Sequence, residues 1–256
     1  MLRSGKKLLF ISLAVLLFVI ILVVFIQHPK PKKISRPLKG KIAIVLDDWG
    51  YKLNNLTLAK QIRYPVTCAV LPNLKNSRLV SSSLHELGFE IILHLPMEPK
   101  EQYKLEKDTI SVSLGPQEIR RIISEDLQSL VFVKGVSNHM GSRVTESKST
   151  CAIVFKELSR RNLYFLDSFV TSGSVAFSLA RKMGLRSARR DVFLDNRSDP
   201  DYIRAQVRQL KALASSRGVA IGIGHDRQAT LEVLIEMMPQ LAKEGYKFVF
   251  VSEVTK

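Results

Sequence analysis

Short apolar runs alternate with longer amphipathic ones along residues 41–254. Strand-length apolar runs fall at 42–47, 66–71, 90–95, 135–139, 163–167, 186–194, 218–224 and 247–252. Between them, residues 54–62, 76–88, 116–130, 147–161, 172–183, 200–216 and 229–244 carry apolar positions at helical spacing. Boundary residues agree with this division. Gly115-Pro116 and Asp199-Pro200 open helices, since the first turn leaves an N–H unused that proline lacks anyway. Gly88, Gly184, Gly218 and Gly245 stand where helices should stop. Residues 97–114 have no clear helical period and read as a loop or hairpin over a site. Repeated strand–helix alternation predicts a parallel sheet, open or closed into a barrel, with its ligand site at the carboxyl ends of the strands.

A different pattern precedes this domain. Residues 8–26 contain no charge, and Ser12 is their one polar interruption. Nineteen residues at helical rise span a hydrocarbon core. No small-x-small cleavage signal follows, so residues 1–28 are expected to be an uncleaved signal anchor or transmembrane helix. Residues 29–40 (PKPKKISRPLKG) read as a basic, Pro-containing linker, and 41–256 as the folded domain.

Charge changes this picture little. The net charge is +16, but nine of the 39 Lys and Arg residues precede any acidic residue and flank the apolar run. Membrane flanking explains them better than nucleic-acid binding, and no nucleic-acid partner is expected. Because basic residues lie on both sides of the run, they do not fix its orientation. Cys68 and Cys151 fall in apolar runs without paired spacing and read as small buried residues, not as a disulfide or a zinc pair.

The polar residues that end the strand runs carry the candidate chemistry. Asp47 and Asp48 end the first, His94 the third, Asn138 and His139 the fourth, Asp167 the fifth, and His225 the penultimate one. An Asp after a strand is commonly a turn former or helix cap, and a single strand-end His is as often structural. Two adjacent carboxylates and three histidines on one rim are harder to read that way. Imidazole and carboxylate together suit a divalent metal such as zinc, which lowers the pKa of water and polarises a carbonyl. His85 sits in a helical run and reads as a surface residue.

The runs IAIVLDDWGY (42–51), ILHLPMEP (92–99), NHMGSRVT (138–145), YFLDS (164–168), ARRDVFLDN (188–196) and IGIGH (221–225) resemble the divergent polysaccharide deacetylase family, in order and over residues 41–254. The resemblance implies an irregular (β/α) barrel of the polysaccharide deacetylase type. It implies Asp47 as base, Asp48 and His94 as metal ligands, and His225 as catalytic acid. The family's second motif is His-x-x-x-His-Pro. Here the second histidine is Glu98, so either Glu98 or His139 supplies the third ligand, and strand-end placement favours His139. Asp167 is expected to orient His225. Arg143, Arg190 and Asp191 are expected to hold Asp47 or a substrate group, an Arg190–Asp191 ion pair being the plainer alternative. The implied activity is metal-dependent removal of acetyl groups from a cell-envelope polysaccharide. The implied location is a bacterial-type inner membrane, with the domain facing the periplasm or exterior. Glu98 motivates an alternative, an inactive deacetylase-like envelope protein that binds glycan or a protein partner. A metal phosphoesterase is a weaker third reading, since two-metal sites want more carboxylates.

Overall fold

The first apolar run forms β1 (Gly40–Trp49), which is buried along almost its whole length, as a strand covered on both faces must be. In the computed structural model, which describes Leu13, residues 15–20 and residues 37–256, the chain then runs through α1 (Leu56–Ala59), β2 (Thr67–Val70), α2 (Ser77–Glu86), β3 (Glu90–Met97), α3 (Pro116–Ser129), β4 (Val133–Met140) and α4 (Lys148–Arg160). It continues through β5 (Tyr164–Asp167), α5 (Ala176–Lys182), β6 (Ser187–Arg189), β7 (Val192–Phe193), α6 (Pro200–Arg217), β8 (Val219–His225), α7 (Gln228–Glu244) and β9 (Tyr246–Val249). The chain divides into two units, Met1–Pro37 and Leu38–Lys256. Leu13 and residues 15–20 are helical and exposed, and the rest of the expected anchor at 8–26 lies outside the described residues. Among the described residues no helix is long and apolar enough to cross a membrane.

The strands form one parallel sheet in the order β6-β5-β4-β3-β2-β1-β8-β7, with β9 paired to the start of β1. The sheet is curled into a half-barrel. Its two edges, β6 and β7, are consecutive in sequence and separated only by Arg190-Asp191. This corrects the expectation of one strand over 186–194. The Arg190 N–H bonds to the Asp167 carbonyl, on β5, while the Asp191 N–H bonds to the Ile221 carbonyl, on β8. Two residues therefore step from one edge of the curl to the other.

Side-chain alternation sorts the core into two layers. Ile42, Ile44 and Leu46 of β1 face the helices, while Ala43 and Val45 face the concave side with Ala69, Ile92, Tyr164, Leu166, Ile223 and Val251. Small residues at 43, 69 and 188 leave room for the curl. Gly135 serves the same end, because a Cβ there would lie 2.5 Å from the Tyr164 ring. The expected helix at 54–62 shrinks to a single turn, α1. Residues 98–115 contain no helix or strand. Ile110 returns to bridge Met97, so the segment folds back on the end of β3 as a loop.

Candidate functional site

Adjacent residues in a regular strand point to opposite faces, so the Asp47-Asp48 pair needs a local irregularity to serve one site. The structure supplies it. The β1–β2 register shifts between Leu46 and Trp49, and Asp48 has a φ of 64°, in the left-handed region that a non-glycine residue rarely occupies. Both carboxylates thereby reach the rim where β3, β4 and β8 end.

Asp48 Oδ1 lies 3.3 Å from His94 Nε2 and 3.1 Å from His139 Nδ1. One ligand atom from each of Asp48, His94 and His139 falls within 4.8 Å of the others. Asp47 Oδ2 is 3.6 Å from His94 Nε2, and His225 Nε2 is 3.9 Å from Asp48 Oδ2. The far nitrogen of His94 is fixed by Ser137 Oγ at 2.8 Å, its neighbour across the β3–β4 ladder. The two carboxylates and three imidazoles, with Asn138, Met140, Ser168, Val170 and Phe193, line a cavity of about 250 Å³.

The electrostatics differ sharply between the two carboxylates. Burial raises the Asp47 pKa well above its usual value, helped by the negative charges of Asp48 and Asp195 and opposed by Arg190. Burial also acts upward on Asp48, but the adjoining His139 and His94 imidazoles overcome it and hold that carboxyl well below the usual range. Burial pulls His94 down to about 4, so its imidazole is neutral near pH 7 and can ligate. Asp48 Oδ1 is buried close to two imidazole nitrogens yet makes no hydrogen bond. One carboxylate and two imidazoles around such an atom fit a divalent cation of the zinc type, and Ser137 supplies the outer partner that fixes a ligating ring.

Several expected residues have other partners. Asp167 does not touch His225. Its Oδ1 accepts from the Phe169 N–H, and its Oδ2 from Ser174 Oγ and the Phe177 N–H, so it ties down the loop after β5. The orienting carboxylate is Asp195, fully buried, whose Oδ1 lies 2.8 Å from His225 Nδ1. Asp195 Oδ2 accepts from the His225 N–H and from Thr230 Oγ1. Burial pushes Asp195 up, but its bond to His225 prevails and its pKa is lowered overall. Glu98 is turned away from the cluster. Its Oε2 accepts from the Val112 N–H and its Oε1 pairs with Arg143 Nε at 3.3 Å, so both residues brace the loop after β3. Asp191 pairs with Arg217 and accepts from the Ile221 N–H, so it neither holds Asp47 nor forms the alternative ion pair with Arg190. Arg190 donates to the Ser168 and Phe169 carbonyls and its charge acts on Asp47. Asn138 Oδ1 accepts from the Ser168 N–H, joining the ends of β4 and β5. A signal for Asp195 existed, since VFLD at 192–195 repeats the pattern of YFLD at 164–167. Asp195 also directly follows the 186–194 run, as His225 follows the run at 218–224, so the strand-end rule applied to it equally.

A curled parallel α/β sheet with a carboxylate–imidazole cluster on its carboxyl rim defines a class of α/β scaffolds whose site lies at the strand ends. Within that class, a family model for divergent polysaccharide deacetylases matches residues 44–255, and the chain belongs to this family. The uncharacterized protein YibQ of Escherichia coli is 36% identical over 207 residues, which cover 81% of this chain and 65% of that protein. An uncharacterized protein from Agrobacterium tumefaciens has a similar crystal structure, with a TM-score of 0.79 at 19% identity over 86% of this chain and 91% of the other. The catalytic domain of a peptidoglycan N-acetylglucosamine deacetylase from Eubacterium rectale is more distant, with a TM-score of 0.54 at 13% identity over 84% of this chain and 90% of that domain. These two likenesses establish the fold.

Proposed function

We propose that this chain is a metal-dependent hydrolase that removes acetyl groups from a cell-envelope polysaccharide, held at a bacterial-type inner membrane by residues 8–26 with its domain outside the cytoplasm. The observation that carries this reading is the convergence of Asp48, His94 and His139, with Asp47 on one side and the His225–Asp195 pair on the other. A divalent cation on those three residues, most simply zinc, would supply Lewis acidity for water activation and for the carbonyl oxygen. Asp47, raised by burial toward the working range of a base, takes the proton of the attacking water. His225 donates from Nε2 to the departing amine or hydroxyl, while Asp195 fixes its Nδ1 and hence its tautomer. Phe193 stacks beside His225, and Val170 and Met140 give the cavity apolar wall for a small acyl group.

Metal analysis and acetate release from acetylated chitooligosaccharides test this reading together. His94→Ala and His139→Ala should each lose the metal, while Glu98→Ala keeps it. A wild-type chain that binds no divalent ion and releases no acetate would favour the inactive, glycan-binding alternative.

A further inference from the structure

A larger cavity, of about 590 Å³, opens at the opposite pole, where the strands begin. In parallel barrels that pole ordinarily serves stability, not chemistry. The cavity is lined by Lys134, Arg161 and Arg186, and an adjoining one that shares Gly88, Phe89 and Phe250 adds Lys60 and Arg63. All five cations are exposed. Arg161 pairs with Glu157, and among the described residues Arg186 reaches the Asn162 carbonyl at 3.5 Å. Among the described residues the one carboxylate in either lining is Glu90, 8% exposed. Its Oε1 accepts from Thr67 Oγ1, Tyr164 Oη and the Ser252 N–H, which leaves Oε2 free to accept from a guest in the cavity.

Two helices end at this cavity, α2 with His85 in its last turn and α4 with Arg161 as its C-cap, and their dipoles favour nearby cations. That accounts for some of the positive charge but not for Glu90 or for Phe132. Phe132 is 53% exposed, holds a φ of 62°, and stacks on His85 at 3.8 Å. A bulky residue kept in the left-handed region and in solvent is a strained arrangement of the kind found at binding sites.

Chain connectivity adds the last element. β1 begins at this pole, and residues 27–39, which separate it from the apolar run, reach at most about 45 Å when fully extended. A bilayer holding residues 8–26 is therefore within reach of this pole.

We infer that the Lys134–Arg186–Glu90 cavity binds the headgroup of an anionic phospholipid and seats the strand-start pole on the membrane that anchors the chain. The phosphodiester pairs with Lys134, Arg161 and Arg186. A headgroup hydroxyl donates to Glu90 Oε2, and Phe132 enters the interfacial layer, where aromatic rings are favoured. The inference rests on the anchor reading above, and its consequence is that the Asp47–His225 site faces away from the bilayer.

The test uses the full chain in vesicles of phosphatidylcholine, with or without phosphatidylglycerol, and reads lysine acetylation residue by residue. Phosphatidylglycerol should slow labelling of Lys60 and Lys134 about fivefold, leave Lys104 and Lys148 at the other pole unchanged, and lose its effect in the Arg63→Glu, Arg186→Glu double variant. Equal labelling in both lipids, or protection at Lys104 and Lys148 instead, would overturn the inference. So would equal protection by soluble glycerol phosphate, which would make this a free phosphoester site. Release of the chain from phosphatidylcholine vesicles in alkaline carbonate would sink the anchor reading alone. The lysine contrast on phosphatidylglycerol vesicles would still decide the headgroup site.

Discussion

At the scale of single residues, two carboxylates that look alike in sequence have different work. Asp167 and Asp195 each follow a strand-like run, yet only Asp195 meets His225. Asp195→Asn should lower kcat for acetate release by about 10²–10⁴-fold, the range for a mispositioned acid–base group. Asp167→Asn should spare the pH profile while lowering the melting temperature, because it frees the loop at 168–177. Activity profiles and thermal denaturation of the two variants separate these outcomes. Asp126 makes a different prediction. Burial, with help from Asp108, raises its pKa to about 7, although Asn73 donates to its Oδ1. The folded chain keeps this proton up to about pH 7, and the unfolded chain releases it near 4. Asp126 therefore makes stability fall as pH rises between those values, with the lower level persisting above. Asp126→Asn should flatten that fall and add about 1–2 kcal/mol at pH 8, measured by urea unfolding at pH 5.5 and 8. The strand-end rule found Asp47, Asp48, His94, His139 and His225 because strand ends are local features. It could not assign partners, since Asp195 and Asp167 differ only in where the curl carries them.

At the scale of elements, short apolar runs and helical spacing located all seven α-helices of residues 38–256 and every strand there except that β6 and β7 fell in one run, because each element buries its own apolar face locally. The errors lie where tertiary structure intervened. Residues 186–194 read as one strand, but their halves serve opposite edges of the sheet, and the charged stretch Arg189-Arg190-Asp191 between Ala188 and Val192 is the local mark of the step. The 54–62 run keeps one helical turn, and its remaining positions go to the turns flanking it. The β4–β5 contact depends on a missing side chain. Tyr164 fills the space over Gly135 and donates to Glu90. Gly135→Ala should cost about 1–3 kcal/mol, as overpacking in a rigid core does, and a lower denaturation midpoint with an unchanged slope is the expected record.

At the scale of the whole molecule, the C-terminal residues close the concave core. Val251 is fully buried there, its N–H bonds to Thr67 Oγ1, and Lys256 exchanges two backbone hydrogen bonds with Ser187 of β6. Deleting residues 251–256 should cost about 2–4 kcal/mol from lost apolar burial and hydrogen bonds. A chemical-denaturation curve that matches the full chain would refute this role.

The strand order has a further consequence during synthesis. β2 to β6 join the sheet one after another on the same side of β1, each beside its predecessor as it leaves the ribosome. The other side of β1 waits for β8, which begins at residue 219. Until then the nascent chain carries an open strand edge, the kind of surface on which aggregation and chaperone capture act. Asp48, His94 and His139 are all made before Asp195 and His225. A growing chain thus acquires the proposed cation ligands well before the proposed proton-transfer pair, and translation that stops short of β8 leaves the first set without the second.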